Sequence, residues 1–511
     1  MTADRPFFIT TPIYYVNDQP HLGHAYPTVA ADALARFMRL DGRRVKFLTG
    51  TDEHGQKVEQ SARAAGVSPQ EFADRNSAAF REMDRLLDIS YDDYIRTTED
   101  RHIRGVQALW RELERRGEIY LGRFAGWYAV RDEAFYDGSE LVDGKAPTGA
   151  DVEWYEEDNY FFRLSAWQDR LLDYYEANPE AIAPRSRRNE VVSFVRSGLR
   201  DLSISRTSFS WGIPVPSNPA HVIYVWLDAL ANYITAIGYP EADSAEFAAF
   251  WPTAHHIVGK DILRFHAVYW PAFLMAAGLA PPRRLFAHGW WTVEGQKMSK
   301  SLGNGIPPDV LVGKYGVDPA RYFLLRELPF GSDGDFSHRA VVGRLNGDLA
   351  NDFGNLAQRV LVMIQRNCDA CIPEPGELYA ADRALLDAAR RLLPVVRGHM
   401  AEQAFHLALE TIWRVVGEAN RYVDEQAPWV LSRSDAVRMR TVLYTLAETL
   451  RHLAILVQPF VPGAASKLLD QLAVPETARR FSDLAEAPLV PGTRLPAPEA
   501  IFPRFVEEAA R

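Results

Sequence analysis

Residues 7–16, FFITTPIYYV, form a run of β-branched and aromatic side chains, and a helical pattern from about His21 to Arg39 follows after one turn, Asn17-Asp18-Gln19-Pro20. A buried strand joined so tightly to a long helix constrains the fold more than any other feature of the chain. Residues 45–51 (VKFLTGT) repeat the strand pattern, and residues 55–65 repeat the helical one. Strand–helix–strand–helix at this spacing predicts an α/β fold with an open, parallel, Rossmann-like sheet.

The alternation is interrupted between about 117 and 215, where aromatic segments (GWYAV, EAFY, VEWYEEDNYFF) alternate with Gly and Asp turns. This reads as an inserted, mainly β element followed by helices. The α/β pattern is expected to resume with a strand at His221–Trp226, then at His255–Gly259, and to end with Leu285–Gly289 before a loop at 292–305. After about 345 the spacing becomes helical. Leu349, Phe353, Leu356, Val360 and Met363 recur at helical intervals, as do Phe405, Leu409, Ile412, Val416 and Ala419, and Leu443, Leu446, Leu450, Leu453 and Val457. These are the apolar faces of an amphipathic bundle. The Pro-rich end, 491–504, reads as a surface-packed tail.

Composition narrows the function classes. The 511 residues carry a formal charge of −10, with 47% hydrophobic and 24% charged residues, which excludes a wholly disordered chain. No apolar stretch approaches the roughly 20 residues of a membrane span, and the first residues lack a signal-peptide pattern, so a cytoplasmic protein is expected. Two cysteines, Cys368 and Cys371, supply neither a disulfide framework nor a four-cysteine zinc site. Only 8 of the 57 basic residues are lysine, so each lysine is conspicuous. The net charge speaks against nucleic acid, but it is a sum over the whole surface. Six arginines between Arg185 and Arg206 oppose only Glu190 and Asp201, a local basic stretch suited to a phosphate backbone.

Two constellations carry chemistry. His21-Leu22-Gly23-His24 opens the first long helix, and three-residue spacing puts both imidazoles on one face. Gly23 allows close approach of a ligand, and the helix N-terminus favours phosphate. A His pair at a helix start can equally serve as a cap, or as part of a metal site whose other ligands are not evident. Lys297-Met298-Ser299-Lys300-Ser301, flanked by Gly295 and by Gly303-Asn304-Gly305, is the second. Mobile ammonium groups in a Gly-rich loop suit a pentavalent phosphate and a departing pyrophosphate, and such a loop can close over its substrate.

Together these motifs resemble the two signatures of the class I aminoacyl-tRNA synthetases, in the same chain order. The runs TPIYYVNDQPHLGHAY, GTDEHG, YVWLDAL, GKDILRFHAVYWPA, HGWWTVEGQKMSKS and YVDEQAPW resemble the methionyl-tRNA synthetases in particular, over essentially the whole chain. The resemblance implies an ATP-dependent methionine–tRNA ligase. Methionine and ATP (as its Mg²⁺ complex) form methionyl-adenylate and pyrophosphate without a covalent enzyme intermediate, and methionine then passes to the 3′ end of tRNA(Met).

Carried over residue by residue, the resemblance implies a methionine pocket of Ile13, Tyr15, Asp52, Trp226, Ala229, Tyr233, Ile262, His266 and Trp270. The aromatic residues offer sulfur–aromatic contacts, Asp52 a partner for the ammonium, and Tyr233 and His266 polar tips near the thioether. ATP is implied to lie on His21, Gly23, His24, Gly259, Lys260 and Asp261, with Lys297, Ser299 and Lys300 over the phosphates. His21, His24, Lys297 and Lys300 are the catalytic candidates, Lys300 the most rate-sensitive. Asn355, Arg359, Pro428 and Trp429 are implied to read the anticodon, Trp429 by stacking on a splayed base.

The implied organisation is a catalytic domain in two halves (1–116 and 216–291), a connective insertion (117–215), a loop and stem-contact region (292–345) and an anticodon-binding bundle with its tail (346–511). The chain departs from many relatives in lacking cysteines at 120–160, so no structural zinc is expected there and no metal ligands are assigned. Cys368 and Cys371 are expected to be unreactive thiols. With no further C-terminal module, a monomer is expected. The alternatives are a class I synthetase for isoleucine, valine, leucine or cysteine, a small HxGH nucleotidyltransferase, or a tRNA-binding scaffold without catalysis.

Overall fold

The computed structural model describes residues 5–17, 19–131, 134–136, 138–241, 243–293, 296–297 and 305–507. Strand Arg44–Asp52 pairs in parallel with Pro6–Thr10 and with Asp93–Arg96. Pro6–Thr10 pairs with Ala254–Gly259, and that strand with Arg284–His288. The run 7–16 is two strands rather than one. The ladder stops at Thr10 and rejoins at Tyr14–Tyr15, which pairs with Thr51 and Asp52. Pro12, lacking an N–H, falls in the gap.

Helix Leu22–Leu40 follows, buried along most of its first four turns, and packs on this sheet. The stretch 117–215 is only partly separate from it. Strands Ile119–Ala129 and Glu153–Phe162 form a long antiparallel ribbon joined by Ala134–Tyr136 and Leu202–Ser203. Ile182–Ala183, however, pairs in parallel with Arg284–His288 and extends the main sheet at its edge.

The expected strand at His221–Trp226 is a correction. Asn218–Ile223 is a strand, but it pairs antiparallel with Ser205–Arg206 and Pro214–Val215, outside the main sheet. Val225 and Trp226 already begin helix Val225–Thr235. A β-branched run sets strand propensity but not the partner, and hairpin-like neighbours were the closer partners here.

Beyond 345 the chain is helical. The spacing of apolar residues matches burial closely: Leu443, Leu446, Leu450, Leu453 and Val457 are fully buried along helix Ala436–Val457, and Phe405, Leu409, Ile412, Val416 and Ala419 along Phe405–Gln426. In the tail, Leu495, Ile501 and Phe502 are buried. One continuous apolar cluster joins the sheet domain to this bundle. Arg321, on helix Val317–Arg326, stitches the two. It donates to Asp32 on the first long helix at 2.6 Å and to the carbonyls of Pro459 and Phe460 at 3.0 and 3.2 Å.

Candidate active site

Parallel strands point their C-terminal ends to one edge, where α/β sheets hold ligands. A cavity of about 490 Å³ opens there, lined by Ile13, Tyr15, His21, Gly23, His24, Asp52, Trp226, Ala229, Tyr233, Gly259, Asp261, Ile262 and His266 among others. Thirteen residues singled out from sequence, spread from position 13 to 266, therefore share one wall.

At the helix start the capping and ligand readings of the His pair coincide. His21 is the N-cap, and its Nδ1 accepts the Gly23 N–H at 3.0 Å. Nδ1 of His24 accepts the His21 N–H at 3.1 Å, a reciprocal capping box. With both Nδ1 atoms accepting, Nε2 of each ring carries the proton. Burial, reinforced by the neighbouring His21, holds the His24 pKa well below the ordinary histidine value, so this ring is neutral at pH 7. A Cβ on Gly23 would lie 2.8 Å from Cε1 of His21, so a side chain there would dislodge the capping ring.

Elsewhere on the cavity wall, Nδ1 of His266 donates to the Ile262 carbonyl at 3.0 Å, which leaves Nε2 to accept the Tyr233 hydroxyl at 2.7 Å. Burial lowers the His266 pKa to about 4, against a backbone hydrogen bond that raises it. Trp226 stacks on Phe265, with centroids 3.6 Å apart and planes within 5°. Trp270 differs from the other pocket candidates. It is fully buried behind Tyr233, with centroids 6.2 Å apart, and does not line the cavity.

Asp52 ends its strand at the cavity, and the residues after it are tied to other elements. Glu53 receives Nε and Nη2 of Arg96 at 2.6 and 3.0 Å. His54 meets Asp228 at 2.7 Å, and His102 takes the other oxygen of Asp228, also at 2.7 Å. Burial opposes the Asp228 charge, but the two imidazoles hold its pKa below the usual carboxylate value. Asp228 thus anchors the helix that presents Trp226, Ala229 and Tyr233 to the segment that follows the Asp52 strand.

After strand Ala254–Gly259, Gly259 and Asp261 face the cavity while Lys260 turns aside to pair with Asp333, its ammonium 4.1 Å above the Trp290 ring. The loop expected from 292 is instead, where described, a pair of short strands: Gln296–Lys297, which holds Lys297, pairs antiparallel with Trp291–Val293. Ser299 and Lys300, with Met298 and Ser301, lie outside the described residues.

Sequence reasoning missed Tyr26, Lys57, Arg131, His288, Trp290 and Trp291, all of which line the cavity. Lys57 was legible as one of only 8 lysines, and Trp290 and Trp291 as neighbours of the lysine loop. Arg131, which reaches in from the insertion, carried no local signal.

In the bundle, Arg359 pairs with Asp424 at 2.7 Å and lies 5.4 Å from the Trp429 ring. Asn355 is exposed at the start of the same helix, Asn355–Asn367. Ala427 takes a left-handed conformation, φ 41°, so that Pro428 starts a new helix and Trp429 is left 44% exposed. Among the described residues no three His, Cys, Asp or Glu side chains form a metal-binding group. Cys368 is buried, which raises its thiol pKa, and Cys371 is half-buried; neither forms a disulfide. No helix among the described residues is long and apolar enough to cross a membrane.

A parallel Rossmann-like sheet with an HxGH helix start at its ligand edge, followed in the sequence by a lysine motif and then by a helical bundle, defines a class I tRNA synthetase. Residues 7–153 and 137–361 match the family model described as "tRNA synthetases class I (M)", and residues 372–511 match the "Anticodon binding domain of methionyl tRNA ligase". The chain is 58% identical over 507 residues to the methionine–tRNA ligase of Brucella suis biovar 1, covering 98% of both chains. It is 55% identical to that of Rhizobium meliloti, covering 100% of both. Mycobacterium tuberculosis methionyl-tRNA synthetase in complex with methionyl-adenylate superposes with a TM-score of 0.96 at 54% identity, covering 98% of this chain and 100% of that one. The chain belongs to the methionine–tRNA ligase family.

Proposed function

We infer that the chain activates L-methionine with ATP to methionyl-adenylate and pyrophosphate, then transfers methionine to the 3′ end of tRNA(Met). One observation carries this reading. A single cavity is lined by a carboxylate, a buried phenol–imidazole pair and two imidazole side chains at a helix N-terminus. Asp52 holds the substrate ammonium by a charge-assisted bond. Tyr233 and His266 face the thioether, and Trp226 supplies an aromatic wall.

ATP enters as its Mg²⁺ complex and lies along His21, Gly23 and His24, with its ribose toward Gly259 and Asp261. The methionine carboxylate attacks the α-phosphorus, and the bond to the bridging oxygen of the β-phosphate breaks. His21 and His24 donate from Nε2 to the phosphate oxygens. Lys297 and Lys300 neutralise charge on the transferring and leaving phosphates. Being neutral, His24 donates a hydrogen bond without needing a proton supplied at physiological pH. A ribose hydroxyl of the tRNA 3′ end then attacks the carbonyl carbon, and AMP leaves.

Residues 1–116 and 216–291 form the catalytic domain in this reading, completed by Lys297 and Lys300. Residues 117–215 receive the acceptor end, 292–345 carry the loop and stem contacts, and 346–511 bind the anticodon through Asn355, Arg359, Pro428 and Trp429. The protein works as a cytoplasmic monomer. ATP–pyrophosphate exchange with each amino acid in turn tests the reading. Strong exchange with methionine alone is expected, and exchange only with isoleucine or valine would overturn it.

A further inference from the structure

The strand Arg284–His288 ends where a second backbone presses against it. A Cβ on Gly289 would lie 2.1 Å from the Ser332 carbonyl oxygen and 2.7 Å from the Asp333 nitrogen, so only glycine admits the approach. The Gly289 N–H donates to Phe330 O at 3.1 Å, and the Gly334 N–H to Trp290 O at 2.9 Å. Beyond this crossing, Trp291–Val293 pairs in parallel with Gly334–Phe336 and antiparallel with Gln296–Lys297. Strand Gln296–Lys297 is therefore mounted, through Trp291–Val293, on the segment that carries Asp333.

Asp333 stands at the head of that mount. One carboxylate oxygen accepts the Trp290 backbone N–H at 2.8 Å, and the other accepts from the Lys260 ammonium. The ammonium lies over the Trp290 indole, whose Nε1 donates to Oδ1 of Asp261 at 3.2 Å. Asp261, Trp290, Lys260 and Asp333 thus close a ring of contacts at the corner of the cavity. Asp261 and Trp290 line that cavity; Lys260 and Asp333 do not.

We propose that Asp333 is a positioning residue of the activation step, one that clamps Lys260 on the Trp290 indole and registers the strand pair ending at Lys297 to the nucleotide corner. Lys260 then acts through Trp290 and Asp261 rather than by touching phosphate. The role rests on reading this corner as the nucleotide site. It follows from charge pairing: with Asp333 gone, the ammonium loses its partner and the Trp290 N–H its acceptor, so the indole and the strand behind it lose one fixed reference together.

The test is steady-state ATP–pyrophosphate exchange by the full-length protein. Asp333→Asn is expected to lower kcat about tenfold, the scale of one lost charge-assisted hydrogen bond, and to raise KM for ATP while leaving KM for methionine unchanged. Lys260→Met is expected to behave alike, and the double variant to be no worse than either single one, because both remove the same contact. Asp333→Glu, which keeps the charge, is expected to recover part of the loss. Wild-type kcat and KM for ATP in Asp333→Asn would overturn the proposal. So would equal rises in both KM values with a lowered melting temperature, the mark of a merely structural residue. If the wild-type protein itself fails to exchange with methionine, the functional reading falls and the role of Asp333 falls with it.

Discussion

Tyr233 donates its hydroxyl proton to Nε2 of His266 across 2.7 Å, in a wall where both side chains are buried. The other ring nitrogen is committed to the Ile262 carbonyl, so the pair has one orientation. Tyr233→Phe leaves a buried acceptor without its donor, a loss of about 1–3 kcal/mol. KM for methionine is expected to rise roughly tenfold to a hundredfold, with KM for ATP unchanged, in the exchange assay. Equal changes in both constants would show that the pair does not serve the amino acid.

Four histidines make stability depend on pH. Burial lowers His255 and His266 to about 4, and pulls His24 and His256 well below the ordinary 6.5. Below pH 6.5 the unfolded chain binds these protons and the folded one does not, so stability falls as pH drops from about 6.5 toward 4. The carboxylates act in a lower window. Glu448, opposed by burial but held at about 2 by His452 and Arg451, loses its contribution progressively as pH falls from its ordinary 4.5 to about 2. A urea midpoint that declines between pH 7 and 4.5, less steeply in His255→Gln, is expected. A flat midpoint over that range would contradict it.

Arg321 and Asp32 form an ion pair with both side chains fully buried. Burial opposes the Asp32 charge, yet Arg321, Arg36 and Ser90 keep its pKa low. Arg321→Met leaves that buried carboxylate only Arg36 and Ser90 and is expected to cost about 3 kcal/mol in urea unfolding, the low end for a broken buried pair. The double variant with Asp32→Asn should recover part of the loss, since the buried carboxylate charge is then gone. A double variant as unstable as the sum of the singles would mean that the carbonyl bonds to Pro459 and Phe460, not the ion pair, hold the two domains.

Trp429 stands exposed beside Arg359, which Asp424 holds in place. Stacking of one base is worth about 1–3 kcal/mol by alanine substitution. Trp429→Ala should therefore lower kcat/KM for tRNA about tenfold or more while methionine-dependent exchange stays intact. Loss of both activities together would point to damage in the fold.

Local pattern carried far in this chain. Helix Leu22–Leu40 with its His21 cap, strand Arg44–Asp52 and the buried faces of the bundle were all legible, because they depend on propensity and on periods of two and 3.6 residues. Tertiary structure decided what each pattern meets. It put Ile182–Ala183 at the edge of the main sheet and paired Asn218–Ile223 outside it. Of two similar tryptophans, it turned Trp226 to the cavity and Trp270 into the core. It also gave Lys260 a partner 73 positions away in Asp333. Backbone conformation is chosen by near neighbours in the chain. Which charge is neutralised, and which ring sees the substrate, depends on surfaces brought together only when distant segments close over one core.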